Sequence, residues 1–264
     1  MKYKRILASV LFVIIFFVST ITSHSRETIV LNTFYGDSAH LTFLKTLLSE
    51  AFNNLDMDVK LRAMPAERCL IDANSDSGGD GDALRTAYII KTYPNLMKVP
   101  EVIFTLTFVA FSNDKNFQTD SWESLKPYNI AHIKGMKAIA RNLSNVKPRS
   151  IQETENARLL FTLLAKGRTD LAVWGLIEGL IANDKLGQEN MELRQKTNKI
   201  RVLQPSLQTL SKHLFLNKRH KDLIPKIDAV LKEMKKTGSY QRIYEQVFGP
   251  ILMKHKLFGF EHEY

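Results

Sequence analysis

Apolar and polar positions along the chain alternate between two rhythms: short β-branched runs, and longer stretches in which apolar residues recur every three or four positions. Residues 28–34 (TIVLNTF) predict a strand. Over 38–55, Leu41, Leu44, Leu47, Leu48, Ala51 and Phe52 fall on one helix face, with Asp37 and Ser38 placed to cap its start. Residues 57–63 (MDVKLRA) alternate as a strand does, and Pro65 suits the first turn of a short helix, AERCLIDAN. Strand–helix–strand–helix order implies parallel pairing through crossovers.

The strongest strand signal is VPEVIFTLTFVAFS, 99–112. It is followed by a short helix at 121–128, a strand at 129–133, a helix at 136–144 and a strand near 146–150. A helix over 152–167 stopped by Gly167, a buried strand at 170–175 (DLAVWG) and a helix over roughly 176–186 complete a second α/β unit. Residues 200–205 and 207–217 predict two more strands. The end is helical, over 222–238 with Gly238 as the stop, then 239–248. There is no internal repeat. Two α/β units in one chain imply a ligand cleft between them.

The N-terminus changes the picture. Lys2, Lys4 and Arg5 precede an apolar run from Ile6 to Ile21, and Ser23 and Ser25 stand where small residues precede a cut before Arg26. This is the order of a secretory signal peptide, with a run short of the ~20 residues a spanning helix needs. The formal charge of the 264 residues is +10, and +7 remains beyond residue 25. The densest basic cluster, NKRHK at 217–221, lacks interleaved aromatics and reads as a solvated loop, so no nucleic-acid partner is expected. The one cysteine, Cys69, has no partner for an internal disulfide and reads as a small buried residue.

Residues 72–82, DANSDSGGDGD, look at first like a calcium loop. Counting from Asp72, however, Ser77 stands where such a loop needs glycine and Ala83 where it needs a bidentate glutamate. A polar turn leading to Arg85 is the expected reading, with no metal. Nucleophile-elbow, zinc-protease and phosphate-loop motifs are absent, so no catalytic residue and no cofactor are expected. His40, on the first helix, reads as a surface or half-buried residue. Arginines near strand ends are better candidates, because guanidinium holds a carboxylate bidentately. Arg85 and Arg68 both lie near first-unit strand ends, and Glu67 can pair with Arg68 internally. Phe34 and Tyr35, ending the first strand, can form an apolar pocket floor or pack in the core.

The stretches MPAERCLIDANSDSGGDGDALR, YPNLMKVPEVIF, WESLKPYNIAHIKG, LLAKGRTDLAVWG and LKEMKKTGSYQRIYEQVFG together resemble the periplasmic solute-binding proteins of the amino-acid type (family 3) over nearly all of residues 27–250. The resemblance implies an α/β, two-lobed type II periplasmic-binding fold with a ligand cleft between the lobes. It implies a signal peptide at 1–25, a first lobe from 26–112 completed by 205–264, and a second lobe from 113–204. It also implies that Asp80-Gly81 turn the chain toward Arg85, the arginine that grips a ligand carboxylate. Two departures stand out. Gly135 precedes Met136 and Lys137 where the family has a hydroxyl residue at a helix start, and Trp174-Gly175 stand where it places an aspartate for the ligand amine.

Three functions follow. The first is a monomeric periplasmic receptor that captures a small polar solute, an amino acid or related carboxylate, for an ABC-type permease, with Arg85, Arg68, Phe34, Tyr35, Gly135 and Trp174 as candidate ligand contacts. The second is a ligand-sensing or degraded-pocket interaction protein. The third is an exported lyase or dehydratase on the same fold, with Glu67 or Glu178 as its acid or base.

Overall fold

The computed structural model describes residues 26–36, 38–114 and 116–257. The expected signal peptide, and Asp37 as a cap, lie outside the described residues. Strands β1 (Thr28–Thr33), β2 (Asp58–Ala63) and β3 (Gly81–Arg85) alternate with helices α1 (Ala39–Asn53) and α2 (Ala66–Asn74). A 3₁₀ turn, Ala87–Lys91, leads into the long β4 (Leu96–Ser112). Then come β5 (Asn129–Ile133), α3 (Lys137–Val146), β6 (Ser150–Thr154), α4 (Ala157–Ala165), β7 (Leu171–Gly175), α5 (Leu176–Glu189) and α6 (Met191–Thr197). The chain closes with β8 (Arg201–Val202), β9 (Gln208–Asn217), α7 (Ile224–Lys236) and α8 (Ser239–Lys254).

The strands form one sheet in the order β2-β1-β3-β9-β4-β7-β5-β6, with β8 on β4. Two parallel wings, β2-β1-β3 and β7-β5-β6, are joined by the antiparallel pair β4/β9. Each wing, with its helices, is a lobe. β4 and β9 run between the lobes, pairing with β3 through β9 on one side and with β7 through β4 on the other. Cuts at 112/113 and 204/205 fall outside these shared strands, and we propose them as the division between lobes. Pro100 interrupts β4, and the β4/β9 register shifts between Lys98 and Val102, because proline brings no N–H to the ladder. The next amide, Glu101 N–H, donates to Asp228 Oδ1 of α7 at 2.7 Å.

The predicted face of α1 is the core face: Leu44, Leu47, Leu48, Ala51 and Phe52 are all fully buried. It packs with α8 through Phe43, Tyr240, Tyr244 and Phe248. In the second lobe Phe111 of β4 meets Phe161 of α4 edge-on. Across the lobes, Asp184 of α5 accepts from Lys254 at 2.7 Å and lies 3.1 Å from His255.

Several expectations need correction. The strand near 146–150 is found at 150–154, because α3 runs on until Lys147 closes it in a left-handed conformation. The following helix begins at Ala157, where the Asn156 side chain accepts from Leu159 N–H, so 150–154 are free to pair with β5. The strand expected at 200–205 shrinks to two residues, and the last helix continues through Gly249-Pro250 to Lys254.

Candidate functional site

β1 ends at the cleft, and its last turn sets out two aromatic rings. Ser38 caps α1 by accepting from Leu41 N–H at 3.2 Å, which places His40 in the first helical turn. His40 is buried, not the surface or half-buried residue expected from the sequence. Phe34 stacks on Tyr35 (centroids 4.3 Å apart), and Tyr35 stacks on His40 (4.7 Å, interplanar angle 7°). His40 Nε2 then lies 3.4 Å from Glu178 Oε1. Glu178 belongs to the first turn of α5, directly after β7. The carboxyl ends of β1 and β7, one from each lobe, thus meet through this pair.

At the other end of the row, the Arg85 guanidinium carbon sits 4.6 Å from the Phe34 ring centroid. Arg85 Nη2 donates to Ala66 O at 3.0 Å and lies 3.0 Å from Asp82 Oδ2. The contact with Asp82 is an ion pair without hydrogen-bond alignment, since Asp82 Oδ2 and Arg85 Nε are both buried without a hydrogen-bond partner. His40 Nε2 and Glu178 Oε2 share that condition. Lys212 of β9 belongs to the same cluster, within electrostatic reach of Arg85, Glu178 and Asp82.

The electrostatics reflect a largely buried, mixed-charge cleft. Burial pushes the Asp82 carboxyl above the usual range, against the pull of Arg85. Burial, and then Glu178, raise the Tyr35 hydroxyl. Burial lowers the His40 imidazolium, with Glu178 opposing. Burial first, then the charge of Arg85, lower the Lys212 ammonium to about 8, while Glu178 and Asp82 act the other way.

Of the residues singled out from the sequence, Arg85, Phe34, Tyr35 and Glu178 come together here. Arg68 does not join them: it is exposed on α2, where its charge acts on Asp72. Trp174 is half-buried on β7 and packs toward Phe161 at 6.5 Å. Gly135 is an exposed turn residue with φ +84°, a conformation that favours glycine, just before α3. No side chain caps α3, and β5 runs parallel to β7, so the starts of α3 and α5 share one sheet edge. Glu67 accepts from Tyr93 Oη instead of pairing with Arg68. His40, Asp82 and Lys212 were missed. Asp82 alone carried a signal, three residues before Arg85.

The acidic stretch is consumed by protein donors. Asp72 accepts from Asn32 Nδ2 (2.8 Å), Gly79 N–H (2.9 Å) and Arg62. Asp80 takes Val30 N–H (2.7 Å), Arg219 Nη2 (2.9 Å) and a contact from His220 Nε2 (2.7 Å). Arg219 also donates to the carbonyls of Ser75, Asp76, Gly78 and Gly79. The 217–221 segment is therefore not a solvated loop: its arginine is the clasp of the acidic turn. Cys69 is buried, its thiol 3.3 Å from Met64 O.

No protein-family model matches the chain. A curated protein of Shewanella oneidensis, described as an uncharacterized protein, is 24% identical over 233 residues, 86% of this chain and 85% of that one. Solved structures decide the architecture. A histidine kinase sensor domain with similarity to periplasmic binding proteins superposes with a TM-score of 0.61 at 14% identity, covering 85% of this chain and 97% of that domain. An ancestral cationic amino acid solute-binding protein gives 0.61 at 17% identity (84% and 95% covered). The fold is that of the periplasmic binding proteins. An ancestral arginine-binding protein bound to arginine gives 0.57 at 19% identity (85% and 100% covered). Another neighbour is an ancestral amino-acid-binding protein described as a precursor of cyclohexadienyl dehydratase. Among the described residues, no helix is long and apolar enough to cross a membrane.

Proposed function

We propose that the chain is a family 3 solute-binding protein of the periplasm, exported by residues 1–25, whose lobes close on a small carboxylate-bearing solute of the amino-acid class. The observation that carries this reading is the row Arg85–Phe34–Tyr35–His40–Glu178 across the lobes, with buried polar atoms of Arg85, His40 and Glu178 lacking hydrogen-bond partners. Buried polar atoms in a native fold call for partners, and a solute with both donors and acceptors supplies them. Glu178 offers the negative charge for a ligand amine that the Trp174-Gly175 positions lack. The closed form would dock on a membrane permease, as a transport receptor, or on a sensor.

Thermal unfolding of the purified protein against amino acids, with arginine and glutamine first, and against other small carboxylates tests the reading. A ligand at ~100 times its dissociation constant adds about 2.7 kcal/mol. That is several degrees for a chain of this size. No shift with any member of the panel sinks the proposal.

A second reading rests on the pairing of Glu178 with His40 inside the cleft, which is the equipment of an acid–base catalyst. It predicts turnover, not retention, of the bound solute, which mass spectrometry of incubated mixtures distinguishes.

A further inference from the structure

Arg85 is the arginine that the sequence marks for an anionic ligand, yet its Nη2 and one face are engaged within the protein, and its Nε is buried without a hydrogen-bond partner. One terminal nitrogen serves Ala66 O and faces Asp82, and Phe34 covers the guanidinium face. Among the described residues, Asp82 has no other cation within ion-pair distance, so its carboxylate and Arg85 pair locally.

Lys212 differs. Successive residues of a strand face opposite sides, and His213 turns away to the backbone carbonyls of Val99 and Glu101 at 3.1 and 3.2 Å. Lys212 lies on the other face, half-buried at the junction of the two lobes, opposite Phe104 of β4. Arg85 and Asp82 from β3 and Glu178 from α5 act on it electrostatically. Among the described residues, no hydrogen bond or ion pair reaches its Nζ. A half-buried ammonium at the lobe junction that has no protein acceptor is free to take a ligand carboxylate in a charge-assisted hydrogen bond.

We propose that Lys212, not Arg85, is the principal anchor of the ligand's carboxylate, and that Glu178, across the cleft, takes the ammonium of the same zwitterion. This inference rests on the receptor reading. Arg85 is then a positioning residue: tied to Ala66 O and Asp82, it holds Phe34, and with it the aromatic row, in place. The ligand class that follows is a free amino acid, in preference to a dicarboxylate or an amine.

The test is titration calorimetry of the full protein with the twenty amino acids, then with the best of them on Lys212→Met and Lys212→Arg. Loss of a charge-assisted hydrogen bond predicts about 10–100-fold weaker binding in Lys212→Met, with Lys212→Arg within about tenfold of wild type. A readout beyond affinity comes from repeating the wild-type titration near pH 8 in buffers of different ionisation enthalpy. A carboxylate on Lys212 raises its pKa, so binding takes up as much as about half a proton there, and Lys212→Met takes up none. Wild-type protein that binds no amino acid overturns the receptor reading and this proposal together. Amino-acid binding that survives in Lys212→Met within threefold, or wild-type binding without proton uptake, overturns the assignment of Lys212 alone. A succinate affinity above that of the best amino acid overturns the ligand class.

Discussion

Replacing Lys212 by methionine should stabilise the unliganded protein. The ammonium is lowered from 10.5 to about 8 in the fold, chiefly by burial and next by Arg85. At 1.36 kcal/mol per pK unit, the folded protein bears about 3 kcal/mol of strain at pH 7 for keeping this lysine charged. Solvent at the half-buried side chain trims the expected gain to about 1–3 kcal/mol. The attraction of Glu178 and Asp82 is already contained in that figure, since both act on the same group. Methionine keeps a comparable unbranched stem and brings no charge. Below pH 8 both folded and unfolded chains hold the proton, so the gap between variant and wild type is constant. Between pH 8 and 10.5 the unfolded chain holds it and the folded one does not, so wild-type stability rises with pH and the gap closes. Urea unfolding of both proteins at pH 7, 8.5 and 10, compared as differences, reads this directly. A variant less stable than wild type at pH 7, or a gap that does not shrink toward pH 10, would refute the electrostatic account of the cleft.

Three further outcomes are expected. Arg219→Ala removes the clasp on Asp80 and four loop carbonyls and should cost about 1–3 kcal/mol by chemical denaturation, with added calcium giving no rescue. Gly81→Ala would set a methyl 2.0 Å from Phe215 O, a backbone atom that cannot swing aside, so β3 and β9 must part. A loss of about 1–3 kcal/mol or more is expected, seen as a lowered urea midpoint. Acid should destabilise the fold: His40 is held neutral by burial against Glu178, and His213 by burial and then Lys98. Both have folded pKa values below the unfolded ~6.5, so stability present above that pH is lost as pH falls through it toward the folded values. Thermal melts of wild type and His40→Asn between pH 7.5 and 5 check this, the variant giving the shallower slope.

Much of the architecture was legible because local rules and tertiary packing agree. The α1 face, the parallel β1/β2 pair and the glycine stops at 167 and 238 all follow from periodicity and backbone freedom. The errors arise where one side chain decides a boundary. Asn156 as a cap moves a helix start, and no periodicity reveals that in advance. At the site, Arg85, Phe34 and Tyr35 were found because they end strands. Lys212 was not, because a lysine in an alternating strand reads as solvent-facing until the charges of Arg85, Asp82 and Glu178, from β3 and α5, are known to act on it. His40 hid for the same reason: its burial comes from Phe104, Phe248 and Glu178, all far away in sequence. Arg219 was misread because its partners are carbonyls, which no charge pattern records.

The interior position of β9 in the sheet carries a consequence for the order in which the molecule can assemble. β3 has β1 on one side and needs residues 208–217 on the other, and β4 needs the same segment. As the chain is synthesised, the first lobe therefore waits with two bare strand edges while the whole second lobe is made. Unpaired edges invite association with other chains, and contacts this distant in sequence slow folding. A chain ending at residue 112 should consequently aggregate instead of yielding a small stable lobe. The full chain's refolding should be limited by the arrival of β9 between its two neighbours.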